Sequence, residues 1–204
     1  RETLEAIETF PKPVIAAMHG TALGGGLELA MACHYRCATR MSRMGMPEIT
    51  LGILPGAGGT QRLPRLVGPT PALEILISGA PITAERAKEL GLIDEIIDSE
   101  PIAGGIDYAQ RLIAQDAPPR PTRARQASAK LEESDVASVL SRAARALKGR
   151  TTQHGLVRLV RTAVEAPFEE GLDLEAELSA ASLLTTESRA LRHVFFAERD
   201  CARI

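Results

Sequence analysis

Two glutamates in apolar surroundings are the residues of this sequence best suited to acid/base chemistry. Glu28 interrupts the apolar run 27–33, and Glu48, twenty positions later, lies in the apolar stretch 44–51. Burial of a lone carboxylate is costly unless the group is paired or neutral. Two such groups facing one another would titrate apart, so that one holds a proton while the other accepts one. The sequence equally allows two separate glutamates, each solvated or held in a structural ion pair.

One glycine cluster precedes Glu28 and a second follows Glu48. Gly24, Gly25 and Gly26 come between a predicted strand and a predicted helix, where free N–H groups attract negative charge and small residues let a ligand approach the backbone. We interpret them as donors for a developing oxyanion, although a plain tight turn is the alternative. The second cluster, at 56–59, is followed by Gln61 and Arg62 and lacks the Gly-Lys-Ser/Thr of a phosphate-binding loop. We expect it to turn the chain closely into the next helix.

Strand and helix patterns alternate in the first half of the chain. Strands are predicted at 14–18, 35–39 and 92–97, and helices at 2–10, 27–33, 60–67, 71–78 and 84–90. This alternation predicts an α/β fold class. Beyond about residue 100 only helices are predicted, at 103–115, 133–148, 153–165, 172–184 and 186–201, with a loop at 117–125.

Composition limits the partners that we expect. The 204 residues carry a net charge of −2 and no apolar run of membrane-spanning length, so neither nucleic acid nor a membrane is expected as a partner. Three cysteines form no disulfide framework and suit a reducing compartment. Cys33 and Cys37 lack the second ligand pair of a zinc site, so no metal is expected. Arg62, Arg65 and Lys88 could meet phosphates or simply lie on a solvated face.

Three segments carry a resemblance to a known family. They are GGGLELA at 24–30, PEITLGILPGAGGTQRL at 47–63, and 78–97 with TAE at 83–85 and LGLI at 90–93. Together they resemble the enoyl-CoA hydratase/isomerase (crotonase) family over about residues 11–98. The resemblance implies a partial crotonase-type ββα spiral followed by an all-helical C-terminal region.

The resemblance also implies roles for residues of this chain. Glu28 would activate the attacking water, Glu48 would deliver the proton to Cα, and the Gly25 N–H would be one of two amides that hold the thioester oxygen. An acyl-CoA would be the substrate, with no cofactor in this chain. Two alternatives stay open: a Δ3,Δ2-enoyl-CoA isomerase, which needs mainly Glu48, and a non-catalytic binding module.

The second half of the chain resembles one branch of the family. CHYR at 33–36, PFEEG at 167–171, EAEL at 175–178 and SRALRHVFFAER at 188–199 are similar to bifunctional β-oxidation enzymes. The resemblance implies the C-terminal part of a crotonase core over 1–98, a helical region over 99–184 and a linker helix over 185–204. That helix would lead into an NAD-binding 3-hydroxyacyl-CoA dehydrogenase.

The chain starts at Arg1 inside a helical pattern, and we therefore expect it to be part of a longer protein. Self-association or packing against the dehydrogenase domain is expected. The expected location is cytoplasmic in a bacterium or peroxisomal in a eukaryote.

Overall fold

The computed structural model describes residues 1–127 and 129–201. Helix α1 (Glu2–Glu8) precedes β1 (Ile15–Met18), β2 (Thr21–Leu23) and α2 (Gly25–Ala32). Strands β3 (Tyr35–Thr39) and β4 (Arg43–Gly45) are followed by a 3-10 helix (Glu48–Leu51), α3 (Gly59–Val67) and α4 (Pro69–Ser78). Strand β5 (Ile82–Thr83), α5 (Ala84–Glu89) and β6 (Glu95–Ile97) complete the α/β part.

The remaining described chain is helical. It contains α6 (Pro101–Ala114), a 3-10 turn (Thr122–Ala124), α7 (Glu133–Ala143), α8 (Thr152–Glu165), α9 (Phe168–Leu183) and α10 (Thr186–Cys201). The predicted α/β class with a helical C-terminal region is therefore confirmed. Residues 202–204 of the predicted linker helix lie outside the described residues.

The strands form two small sheets that repeat one arrangement. β1, β3 and β6 are parallel neighbours in one sheet, while β2 and β4 are parallel in the other, with β5 antiparallel to β4. Gly20, at φ 63°, turns the chain between β1 and β2. The first two passes of the chain, β1–β2 and β3–β4, thus each contribute a strand to both sheets before entering a helical segment. This is the ββα spiral that the resemblance implies.

The register of the sheets determines which residues of successive passes are stacked. Ile15 pairs with Tyr35, twenty positions further on, and Thr21 pairs with Arg43. A residue of the first pass therefore lies beside one about twenty positions later. Glu28 and Glu48 have this separation.

Helix α3 lies at the centre of the core. All nine of its residues are buried, and it packs against α2, α4, α8 and α9. Leu27, Met31, Met44, Met46 and Leu63 are fully buried around it, and each such side chain contributes about 1.5–3 kcal/mol of hydrophobic stabilisation. The C-terminal helices thus complete the core against which the glutamate-bearing segments pack.

Several predicted boundaries were wrong. Gly25 and Gly26 belong to helix α2 and not to the turn before it. Helix α4 begins at Pro69 after Gly68, two residues before the predicted start at 71. The predicted strand 92–97 contains only three strand residues, and the short strands β2, β4 and β5 were not predicted.

Candidate active site

Glu28 is buried in the second turn of α2. Its side chain is 4% exposed, and its Oε1 accepts hydrogen bonds from the N–H groups of Ala57 (2.9 Å) and Gly59 (2.8 Å). Oε2 has no hydrogen-bond partner among the described residues. Burial raises the pKa of Glu28, and the two amides and the charge of Arg62 oppose that rise. One oxygen is therefore held in place and the other is available to a water molecule or a substrate.

Glu48 is the first residue of the 3-10 helix after β4 and is partly buried. Its Oε2 is buried without a hydrogen-bond partner among the described residues. Burial raises its pKa to about 7; its own backbone N–H opposes the rise, and the charge of Glu28 adds to it. A carboxyl group with this pKa can both donate and accept a proton near neutral pH.

Gly24 connects the two carboxyl groups. It precedes α2 with φ 52°, and a Cβ added to it would lie 2.6 Å from Glu48 Oε1. Only glycine combines this backbone conformation with so close an approach. Glu28 lies one helical turn further on, with its N–H bonded to the Gly24 carbonyl at 2.9 Å, and helical side chains lean toward the helix N-terminus. The two glutamates are thus brought together at the start of α2.

The first turn of α2 presents the predicted oxyanion donors. The Gly24 N–H donates a hydrogen bond to the Gly45 carbonyl (3.0 Å). The N–H groups of Gly25 and Gly26 have no recorded acceptor within residues 1–127 and 129–201, and both residues are exposed. The positive end of the helix dipole adds to their attraction for negative charge. A carbonyl oxygen that gains negative charge is the ligand for which this turn is suited.

A buried ion pair stabilises the loop beside Glu28. Arg62 and Glu8 are 3% and 0% exposed and contact each other at 2.7 Å. Arg62 also donates to the Ala57 carbonyl at 3.0 Å. Arg65 is buried against the ring of Phe168. The suggestion that Arg62 and Arg65 lie on a solvated face was therefore wrong.

Sequence reasoning missed another buried glutamate, Glu175 on α9. It is 1% exposed and accepts hydrogen bonds from Gly58 N–H (2.5 Å), Thr60 N–H (2.8 Å) and Thr60 Oγ1 (2.5 Å). Burial raises its pKa to about 7. A signal was present, because Glu175 lies on the same helix face as the buried Phe168 and Leu172.

The cysteine segment has a structural role. His34 Nδ1 accepts from Val14 N–H at 2.9 Å, and its Nε2 lies 3.0 Å from the Glu8 carbonyl. Arg36 is buried and donates to the carbonyls of Leu92 and Cys33. Within the described part of the chain, no three His, Cys, Asp or Glu side chains are grouped to hold a metal ion.

The ββα spiral thus places Glu28 and the partly buried Glu48 beside the N-terminus of α2, an arrangement suited to acid/base chemistry. Comparison with known proteins agrees. The family described as Enoyl-CoA hydratase/isomerase matches residues 1–165. The chain belongs to this family.

Relatives of known sequence are longer than this chain. It is 42% identical over 202 residues to the peroxisomal bifunctional enzyme of Homo sapiens, covering 96% of this chain and 27% of that protein. It is 36% identical over 214 residues to the fatty acid oxidation complex subunit alpha of Vibrio cholerae, covering 98% and 29%. The chain therefore spans between a quarter and a third of the length of these relatives.

Solved structures show the same fold. A carnitinyl-CoA dehydratase from Mycobacterium thermoresistibile matches with a TM-score of 0.69 at 22% identity, covering 95% of this chain and 64% of that one. An enoyl-CoA hydratase/isomerase from Mycobacterium paratuberculosis matches with a TM-score of 0.62 at 23% identity, covering 94% and 63%. At these identities the likeness concerns the fold alone. In the part of the chain that the structure describes, no helix is both long and apolar enough to cross a membrane.

Proposed function

We propose that this chain is the enoyl-CoA hydratase part of a multifunctional β-oxidation enzyme, which adds water to a trans-2-enoyl-CoA to give a 3-hydroxyacyl-CoA. The observation that carries the proposal is the pair of sequestered carboxyl groups. Glu28 and Glu48 both lie beside Gly24 at the start of α2, and each has an oxygen without a protein partner in the described chain. The family and the β-oxidation enzymes among its relatives support the same reaction.

The reaction uses the two carboxyl groups in opposite protonation states. Ionised Glu28 takes a proton from water while the water oxygen bonds to Cβ. The electrons of the double bond move toward the thioester carbonyl, and its oxygen gains negative charge. This oxygen accepts a hydrogen bond from the Gly25 N–H. Protonated Glu48 then gives its proton to Cα, and the carbonyl re-forms. Gly24 and Gly26 shape the same turn, so that the substrate can approach the backbone.

The wider assignment rests on the bifunctional relatives and on the resemblance of the C-terminal half. Residues 1–98 form the C-terminal part of the catalytic core, 99–184 the helical region and 185–204 a linker toward a 3-hydroxyacyl-CoA dehydrogenase that uses NAD. This chain contacts that domain or a second copy of itself. The enzyme is peroxisomal in a eukaryote and cytoplasmic in a bacterium.

The direct test is hydration of a 2-enoyl-CoA by the full-length protein with Glu28→Gln or Glu48→Gln. Each variant should lower kcat by about a hundredfold or more, because each removes a proton carrier, while acyl-CoA binding stays nearly unchanged. Glu89→Gln is the matched control, since Glu89 is exposed on α5. Near-parental turnover by either site variant would refute the assignment, and binding without turnover by the parent would favour a non-catalytic module.

Isomerisation of a 3-enoyl-CoA is a second candidate reaction. It is favoured by the unpaired buried oxygen of Glu48, since one carboxyl group can carry a proton between two carbons of the same substrate. Assays with 3-enoyl-CoA and 2-enoyl-CoA in parallel separate the reactions. Glu28→Gln should spare isomerisation, whereas Glu48→Gln should abolish it.

A further inference from the structure

The loop that holds Glu28 is shared between two buried carboxylates. Ala57 and Gly59 donate their N–H groups to Glu28, whereas Gly58 and Thr60 donate theirs to Glu175. Successive amides of this four-residue segment thus alternate between the two glutamates. The position of Glu28 Oε1 therefore depends on a backbone that Glu175 holds from the other side.

The loop conformation is open to glycine and is fixed by hydrogen bonds. Gly58 has φ 96°, and a Cβ added there would lie 2.0 Å from Arg62 Nη1. Glycine adopts this left-handed region without strain but also leaves it easily, so the hydrogen bonds to the loop amides select the observed conformation. Glu175 supplies acceptors for both amides that flank Gly59, and it also accepts from the Thr60 hydroxyl.

Helix α9 holds the preceding segment with the same face. Ser179 Oγ donates to the Leu54 carbonyl (3.0 Å), and Ser182 Oγ accepts from Leu54 N–H (3.2 Å). Positions 175, 179 and 182 are spaced four and three apart, so they share one side of the helix. The polar face of α9 thus positions the chain from Leu54 to Thr60, although it belongs to the C-terminal helical region.

We propose that Glu175 is a positioning residue for Glu28: it fixes the 57–60 loop so that two amides hold one oxygen of Glu28 and leave the other for water. This inference rests on the proposed function. Glu175 is too buried and too fully hydrogen-bonded to meet substrate. Its effect reaches the reaction through the loop, and misplacement of Glu28 lowers the rate of the step that Glu28 assists.

The test measures kcat and KM for hydration by Glu175→Gln in the full-length protein, corrected for the folded fraction. The amide has nearly the size of the carboxyl group. If its NH2 group points toward Gly58, two donors face each other; if it points toward Thr60, the hydrogen bonds from Thr60 are lost. We expect kcat to fall by about tenfold or more while KM stays within about twofold. Glu177→Gln, exposed on the same helix, is the matched control and should match the parent.

A milder pair of variants keeps the test decisive if Glu175→Gln does not fold. Thr60→Val removes one hydroxyl that contacts Glu175 and should lower kcat with KM unchanged, whereas Thr60→Ser keeps the hydroxyl and should restore kcat. If kcat per folded molecule is unaffected and only the melting temperature falls, Glu175 is merely structural and the inference is overturned.

The two hypotheses fail differently. Glu28→Gln turning over at the parental rate refutes the proposed function. An inactive Glu28→Gln beside a fully active Glu175→Gln leaves the function intact and refutes only the positioning role.

Discussion

At the residue scale, the two carboxyl groups of the site differ in their surroundings and therefore in their pKa values. Glu28 is held by two amides and faces the charge of Arg62, which oppose the rise of its pKa caused by burial. For Glu48 no cation of residues 1–127 and 129–201 opposes the rise, and burial raises its pKa to about 7. The environment therefore favours Glu28 as the ionised base and Glu48 as the proton donor, which is the division of roles that hydration requires.

This difference predicts the pH dependence of hydration. Glu48 must be protonated to give its proton to Cα, so kcat/KM should fall as pH rises through about 7. Glu28 must be ionised, so kcat/KM should also fall on acidification, at a pH above the ordinary glutamate range because its pKa is raised. The measurement is a pH profile of kcat/KM for the free enzyme. A profile that rises steadily from pH 6 to pH 9 would contradict the role of Glu48 as acid.

At the element scale, the turn between β2 and α2 brings the carboxyl groups and the amides together. Gly24 has φ 52°, and Glu48 Oε1 lies where its side chain would begin. The same turn starts the helix whose first amides are free. The geometry of one residue thus controls both halves of the site.

Gly24→Ala should therefore damage both catalysis and stability. The added Cβ strains the backbone and displaces the Glu48 carboxylate, and we expect kcat to fall by about tenfold or more, with a loss of stability of about 1–3 kcal/mol. Hydration kinetics and urea unfolding of the full-length protein measure the two effects. Gly149→Ala is a matched control, since Gly149 also has a positive φ, 77°, but has open space around it. Equal kcat losses in both variants would contradict the link between Gly24 and Glu48.

The long elements were predictable because their signals are local. The strand 35–39 was predicted to the residue, and the helices of the C-terminal half were located from their periodicity. Strands β2, β4 and β5 contain three, three and two residues. Strands this short form because of pairing with segments far away in sequence, and that pairing leaves no pattern within the strand itself.

The candidate site was predicted only in part for the same reason. Glu28 and Glu48 were found because each is a lone carboxylate in an apolar run. The partners of Glu28 in the loop 57–59 were interpreted as a plain turn, since a backbone donor has no side-chain signature. Glu175 was missed because it was considered only as part of a resemblance, although its place on an apolar helix face is the same kind of signal as that of Glu28.

At the scale of the whole molecule, the two halves of the chain pack into one core around α3. Glu28 and Glu48 follow successive strand pairs and have the offset of about twenty residues that the strand pairing sets. Helices α8 and α9 of the C-terminal half pack on α3 and complete the burial on which the raised pKa values depend. Through Glu175, the C-terminal helical region therefore contributes to the candidate site.

We propose that Glu48 transfers the Cα proton and that Glu28 takes the proton of the attacking water. Exchange of the Cα proton of a 3-hydroxyacyl-CoA, followed by NMR in deuterated water with the full-length protein, tests it most directly. We predict that Glu28→Gln loses hydration but keeps exchange, and that Glu48→Gln loses both. Exchange that persists in Glu48→Gln and vanishes in Glu28→Gln would contradict the assigned roles.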